Sequence, residues 1–271
     1  MIEERAYAKL NLTLGVLYKR VDGYHAIDSI MQTVDLFDSL TIEKSKKIEI
    51  SVTGMTLPQE NTMYKAATAY KKYSGCGCTV RCIKRIPAEA GLGGGSADAA
   101  AVLRGLQRLH RMLDDKRLYS IALAVGADVP FLIQGGAARC EGVGEILTPF
   151  RAAPLWFLIV KPPQGISTRA LYSGLKLPRE RVSTLKAMAA LASGEVKKLC
   201  EVMHNALEMP AIELCPCIAD IKRGLLERGA LAAQMTGSGS AVFGVFETEA
   251  AASSAAEGWA SDYFVRVCRS I

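Results

Sequence analysis

"PAEAGLGGGSADAAAVL", residues 87–103, is the densest glycine run of the chain, and it leads straight into a strongly helical stretch. Gly91, Gly93, Gly94 and Gly95 stand within five positions. Without Cβ atoms, successive N–H groups can turn toward one point. Ser96 is expected as the N-cap of the helix that follows, which brings the positive end of that helix to the loop. Glycine amides beside a helix N-terminus suit a phosphate; the competing reading is a tight packing turn. The run is not a Walker A loop, because Gly95 is followed by Ser96 and Ala97 with no lysine. A dinucleotide fingerprint also fits poorly: its third glycine position holds Ser96, and "IPAEA" separates the loop from the preceding strand.

Upstream, "AYAKLNLTLGVL" alternates, with Ala6, Ala8, Leu10, Leu12 and Leu14 on one face of a strand and Tyr7, Lys9, Asn11 and Thr13 on the other. Lys9 and Asn11 thus point the same way. Such a lysine is ordinarily solvated. Asp22-Gly23 marks a turn before Tyr24 and His25. Strands follow in "SIMQTVDLFDSLTIEK" and "KIEISVTG", then a helix capped by Asn61, then the strand "CTVRCIKRI". After the glycine loop, Val102, Leu106, Leu109 and Leu113 step along one helix face, opposite Arg104, Gln107, Arg108 and Arg111. Asp114 and Asp115 are read as ending that helix. "LYSIALAVG" reads as a short helix, and "ADVPFLIQGGAARCEGVGEIL" as strand and turn. Composition changes near "PFRAAPLW", so domains are placed at 1–153 and 154–271. The second half carries strands at "LWFLIV", "SAVFGVF" and "YFVRVC", and helices from Ser167, Val182, Val196 and Cys217 or Ile218. Strands and helices mix without a regular βαβ beat, which predicts an α+β fold.

The composition excludes several classes. Half of the 271 residues are hydrophobic and 22% are charged, enough for a sizeable core. The net charge of +6 suits an anionic ligand, but the basic residues are spread along the chain, so no nucleic-acid partner is expected. No apolar stretch reaches membrane-spanning length, so no membrane partner is expected either. The start "MIEERAYAKL" lacks the basic-then-apolar run of an export signal, and a cytoplasmic location is expected. Cys76/Cys78 and Cys215/Cys217 are Cys-x-Cys pairs, tighter than structural zinc spacing, and the eight thiols are read as reduced.

Five further stretches narrow the reading: "AKLNLTLGVLYKRVDGYHAIDSIMQTVDLFD", "GADVPFLIQGGAARCEGVGE", "KPPQGISTRALY", "HNALEMPA" and "MTGSGSAVFGVF". The glycine loop resembles the phosphate loop of the galactokinase–homoserine kinase–mevalonate kinase–phosphomevalonate kinase (GHMP) superfamily. The other motifs, in order and over nearly the whole chain, resemble the family of 4-diphosphocytidyl-2-C-methyl-D-erythritol kinases. That resemblance implies the two-domain α+β GHMP kinase fold with its site in the cleft between domains. It also implies ATP with Mg²⁺, and a small-molecule acceptor made of a cytidine diphosphate joined to a polyol. It leaves monomer and weak dimer both open.

By the same resemblance, Lys9 and Asp128 are the catalytic pair. Asp128 accepts the hydroxyl proton, and the ammonium keeps it ionised and stabilises developing charge. On the residues alone, Asp128 reads equally well as a turn aspartate. Pro87, Ala88, Glu89, Ala90, Gly91, Leu92, Gly93, Gly94, Gly95, Ser96 and Ala97 would wrap the ATP phosphates, with Lys84 and Asn61 at the adenosine end. Asn11 would meet the methylerythritol part. Tyr24 and Tyr172 would sandwich the cytosine while His25 reads its edge, with Thr168 on the same helix face as Tyr172. Residues 236–241, "TGSGSA", are either a plain turn or a loop supporting the phosphate loop. No Mg²⁺ ligand stands out: Ser96 is the nearest hydroxyl, and Glu89 and Asp98 flank the loop. The alternatives are a homoserine or mevalonate-type kinase, a dinucleotide oxidoreductase and a nucleic-acid module.

Overall fold

Alternating and β-branched segments become strands wherever one face can be covered, and the computed structural model shows which ones find partners. It describes residues 1–54, 58, 61–173, 175 and 184–271. In chain order the elements are β1 (Ile2–Lys19), β2 (His25–Ser45), β3 (Ile48–Val52), α1 (Thr62–Ser74), β4 (Gly77–Ile83), α2 (Gly94–His110), α3 (Asp115–Val125), α4 (Val129–Gln134), β5 (Ala137–Gly142), β6 (Ile146–Phe150) and β7 (Trp156–Lys161). They continue with α5 (Thr168–Ser173), α6 (Thr184–Ser193), α7 (Val196–Val202), β8 (His204–Asn205), α8 (Glu208–Leu214), α9 (Cys217–Glu227), β9 (Ala232–Met235), β10 (Val242–Phe246), α10 (Glu249–Ala255) and β11 (Phe264–Arg269). The mixture is α+β, as the lack of a βαβ beat predicts. One sheet runs β3-β4-β2-β1-β8, with β5 on β2 and β6 on β5; the other runs β11-β7-β10-β9.

The chain falls into two compact units that interleave along the sequence. The first holds residues 1–8, 36–86 and 93–135. Here β2 pairs antiparallel with β4, β4 pairs parallel with β3, and α1, α2, α3 and α4 pack together. Helix α2 comes so close to β2 that a Cβ at Gly105 would lie 2.3 Å from Ile42 Cδ1. That approach explains a glycine in the middle of a helix, where it otherwise costs about 1 kcal/mol. The second unit holds residues 9–35, 87–92 and 136–271. It contains the β1–β8 and β2–β5–β6 pairings and the whole antiparallel four-stranded sheet, on which α9 and α10 pack. Phe157 and Phe243 meet edge to face in that sheet, with ring centroids 5.7 Å apart.

Several local expectations change. Ser96 is not the N-cap of α2: the cap is Gly93, at φ 72°, and Ser96 is the third helical residue. A residue with left-handed backbone takes the cap, so the helix starts three residues earlier than a serine cap would set it. Val129–Gln134 is a helix, not a strand. Its apolar run is too short for periodicity to decide, while Pro130 in the first turn and Gly135 at the C-cap both suit a helix. Asp114 and Asp115 open α3 instead of closing α2, because the Asp114 carboxylate accepts from Arg117 N at 2.7 Å. Leu113 consequently lies outside α2, which ends at His110. Helices α8 and α10 and the short strands β8 and β9 were not anticipated. The expected helix start at Val182 lies outside the described residues.

Candidate active site

In the second unit the site is built around β1. Ala6, Ala8, Leu10, Leu12 and Leu14 are buried, as the alternation predicts, but so is the opposite face: Lys9 is 4% exposed, Asn11 1% and Thr13 0%. A buried ammonium needs partners. Lys9 Nζ donates to Asn11 Oδ1 at 2.5 Å, and its backbone N–H donates to Leu92 O at 3.0 Å, at the end of the "PAEAGL" half of the glycine loop. Asn11 is held in turn: its Nδ2 donates to Ser29 Oγ at 2.9 Å and its N–H to Thr236 Oγ1 at 3.0 Å. Lys9 and Asn11, two positions apart on one face, are thus brought together as a fixed pair.

The loop between β9 and β10 is both a turn and a support. Gly91, at φ 71°, lies so close to it that a Cβ would come within 2.0 Å of Thr236 O. Ser240 N–H donates to Glu89 O, and Ala241 N–H to Ala90 O, each at 3.2 Å. A Cβ at Gly237 would lie 3.1 Å from Lys9 Nζ. Asn205 Nδ2 braces the same loop, donating to Met235 O and Gly237 O at 2.8 and 2.9 Å. Thr236, Ser29, Asn205 and Gln234, whose amide donates to the Asn11 and Leu12 carbonyls, were not anticipated as individual residues. Only the "TGSGSA" glycines signalled this support.

The Tyr172 and His25 rings lie 5.0 Å apart at 31°. Tyr24 is 64% exposed, on the turn that Asp22 fixes by accepting from its N–H. Thr168 and Ser238 hydroxyls are 2.7 Å apart, tying α5 to the β9–β10 loop.

In the first unit the remaining candidates gather at the start of α2. The amides of Gly94, Gly95 and Ser96 belong to a first helical turn and have no intrahelical acceptor. Asn61 is next to this turn. Its side chain caps α1, accepting from Tyr64 N at 3.0 Å, and its neighbour Thr62 donates to Gly95 O at 2.7 Å. Lys84 Nζ is held between Asp38 and Asp98, 2.5 Å from each. Burial pushes Lys84 down, but Asp98 and Asp38 outweigh it and its pKa is raised. Burial, with Lys84 opposing and Asp38 adding, raises Asp98 to about 7. Asp98 is therefore occupied by Lys84; Glu89, in the second unit, lies against Gly165. Asp128 is half-buried at the start of α4, and its carboxylate makes no cap bond there. A Cβ at Gly126, two residues earlier, would lie 3.6 Å from Ser96 Oγ, which brings this turn to the first turn of α2. Among the described residues no group of three His, Cys, Asp or Glu could hold a metal ion.

Residues 61–136 match the model of the GHMP kinases N-terminal domain, and residues 187–265 that of the GHMP kinases C-terminal domain. A 4-diphosphocytidyl-2-C-methyl-D-erythritol kinase of Alkaliphilus metalliredigens is 41% identical, over 94% of this chain and 91% of its own length. The enzyme of that name from Caldicellulosiruptor saccharolyticus is 42% identical, over 93% of this chain and 91% of its own. The chain belongs to the 4-diphosphocytidyl-2-C-methyl-D-erythritol kinase family of GHMP kinases. A crystal structure of 4-(cytidine 5'-diphospho)-2C-methyl-D-erythritol kinase superposes with a TM-score of 0.84 at 34% identity, over 98% of this chain and 99% of the other. Homoserine kinase from Cytophaga hutchinsonii, at 20% identity and TM-score 0.74, over 99% of this chain and 94% of its own, shares the fold. As a GHMP kinase the chain is a phosphotransferase that draws on ATP. Phosphoryl transfer depends mostly on positioning and charge stabilisation.

Proposed function

We propose that this chain transfers the γ-phosphoryl group of ATP to the 2-hydroxyl of 4-diphosphocytidyl-2-C-methyl-D-erythritol, giving the 2-phosphate and ADP, in the non-mevalonate route to isoprenoid precursors. The main support is likeness over more than nine-tenths of the chain to relatives that bear this activity in their names. The buried Lys9–Asn11 pair adds to it, because a solvated lysine would have no such use. Asp128 takes the proton of the acceptor hydroxyl, and Lys9 offsets the charge that develops. Asn11 holds the polyol, and Tyr172, His25, Tyr24 and Thr168 serve the cytidine. The His25–Tyr172 contact favours stacking on that pair, with Tyr24 more peripheral. Residues 87–97 hold the ATP phosphates, with Lys84 and Asn61 beside them.

Mg²⁺ would come bound to ATP, and its chemistry there would be to offset charge on the phosphate oxygens. The donor set fits an ion held mainly by phosphate and water: Asp98 is occupied by Lys84, and Ser96 would offer a hydroxyl from the first turn of α2. The division at 1–153 and 154–271 is likewise proposed, since the two family matches fall on either side of it. We read the enzyme as cytoplasmic, as a monomer or weak dimer, and as acting on small molecules and not on nucleic acid. Among the described residues no helix is long and apolar enough to cross a membrane. A competition among acceptors tests the function. With ATP and Mg²⁺, ADP should form with the diphosphocytidyl polyol and not with homoserine or mevalonate; turnover of either of those in its place would favour the other GHMP kinase reading.

A further inference from the structure

The residues just before the glycine loop meet a carboxylate that no phosphate-loop motif includes. Asp38, in β2, is fully buried. It accepts from Lys84 Nζ at 2.5 Å, from Ile86 N at 2.8 Å and from Arg85 N. Three donors from consecutive residues therefore converge on one side chain, immediately ahead of Pro87. Two of them are backbone amides, so the bonds fix the course of the chain and not only a side chain.

The far end of the loop closes on the same cluster. A Cβ at Gly94, the first residue of α2, would lie 3.0 Å from Ile86 Cγ2 and 3.6 Å from Lys84 Nζ. Asp98, one turn further along α2 and 3% exposed, takes the same ammonium at 2.5 Å. Cys82 Sγ stands 4.0 Å from its other oxygen. Lys84, just past the end of β4, thus ties that strand to both β2 and α2, and the residues on either side of 87–93 are joined by a single Asp–Lys–Asp bridge with buried carboxylates and a half-buried ammonium. A structural ion pair needs one carboxylate for one ammonium, and burying a second one is costly. The second carboxylate stands on the helix whose first-turn amides face the loop.

We infer that Asp38 and Asp98 are positioning residues for ATP: acting through Lys84, Arg85 and Ile86, they hold the Gly94, Gly95 and Ser96 amides where the phosphates bind. The inference rests on the kinase reading above. It predicts that weakening the bridge damages nucleotide handling selectively, because misplacing phosphate donors by about 1 Å is enough to cost roughly 10²-fold in rate.

The test is calorimetric binding of the magnesium complex of a non-hydrolysable ATP analogue to wild-type protein, Asp38→Asn and Asp98→Asn, together with KM for each substrate. Both substitutions keep shape and, at pH 8, where Asp98 is ionised, remove charge. Analogue binding should weaken at least about tenfold and KM for ATP should rise in step, by RT ln K about 1.4 kcal/mol. KM for the diphosphocytidyl polyol should stay within about twofold. If Asp38→Asn does not fold, Asp98→Asn carries the test alone. A folded variant that binds the analogue like wild type, or that raises both KM values equally, would overturn the inference. Wild-type protein that binds no analogue would overturn the kinase reading itself, and the inference with it.

Discussion

A lysine on the polar side of an alternating strand is ordinarily solvated, yet Lys9 is 4% exposed and bonded to Asn11. Losing its charge should therefore be felt in the chemistry. Lys9→Ala is expected to lower kcat by about 10²–10⁴-fold, the usual range for an assisted proton transfer. Circular dichroism should show an unchanged fold. Near-normal turnover would remove Lys9 from the mechanism. At the cytidine end, Tyr172→Ala should raise KM for the diphosphocytidyl substrate and leave KM for ATP alone, since one stacked base is worth roughly 1–3 kcal/mol. Steady-state kinetics in both substrates would show the split. Period-two alternation put Lys9 and Asn11 on one face in the sequence itself. Their burial was not legible, because it depends on Thr236 and Ser29, which are distant in the chain. Asp38 was missed for the same reason: nothing local to "DLFDSL" shows that the amides of Arg85 and Ile86 converge on it.

The glycine loop shows how far a pattern reaches at the level of one element. Its glycines and the helix after them were legible, because only glycine tolerates φ 71° and 72° cheaply, as at Gly91 and Gly93. A serine that suits an N-cap shifts the expected helix start, and a short apolar run looks like a strand where α4 forms. Gly91 carries the sharper requirement, since a Cβ there would strike Thr236 O at 2.0 Å. Gly75, at the C-cap of α1, has a similar φ of 72° with nothing within 4 Å. Gly75→Ala should therefore cost only backbone strain, about 1 kcal/mol. Gly91→Ala should cost more, roughly 1–3 kcal/mol beyond that strain, because the 236–241 loop must move. Urea midpoints of the two variants would rank them. Equal midpoints would mean the loop contact is dispensable.

Across the molecule, fold class and family were legible because ordered motifs spread over the whole chain, whereas the interleaving of the two units is a product of β1 and β2 each serving both. Stability as a function of pH reads one consequence of that packing. Asp98 titrates at about 7 when folded, because burial penalises its charge, with Lys84 opposing and Asp38 adding. Cys82, the remaining neighbour, is pushed by burial to about 12 and stays neutral. An acid whose pKa is raised on folding binds more protons in the native state between its unfolded value and its folded one. Its contribution is thus fully present below the ordinary aspartate range and is lost as pH rises through about 7. Asp98→Asn should flatten that slope, so relative to wild type it should fare better at pH 8 than at pH 5 in thermal melts. Catalysis itself is read by ³¹P NMR of the purified chain with ATP, Mg²⁺ and 4-diphosphocytidyl-2-C-methyl-D-erythritol. A new phosphomonoester resonance should grow in step with ADP, and almost none should form with Asp128→Asn. ADP without that resonance, or an Asp128→Asn enzyme as fast as wild type, would overturn the assignment of this reaction and of Asp128 as its base.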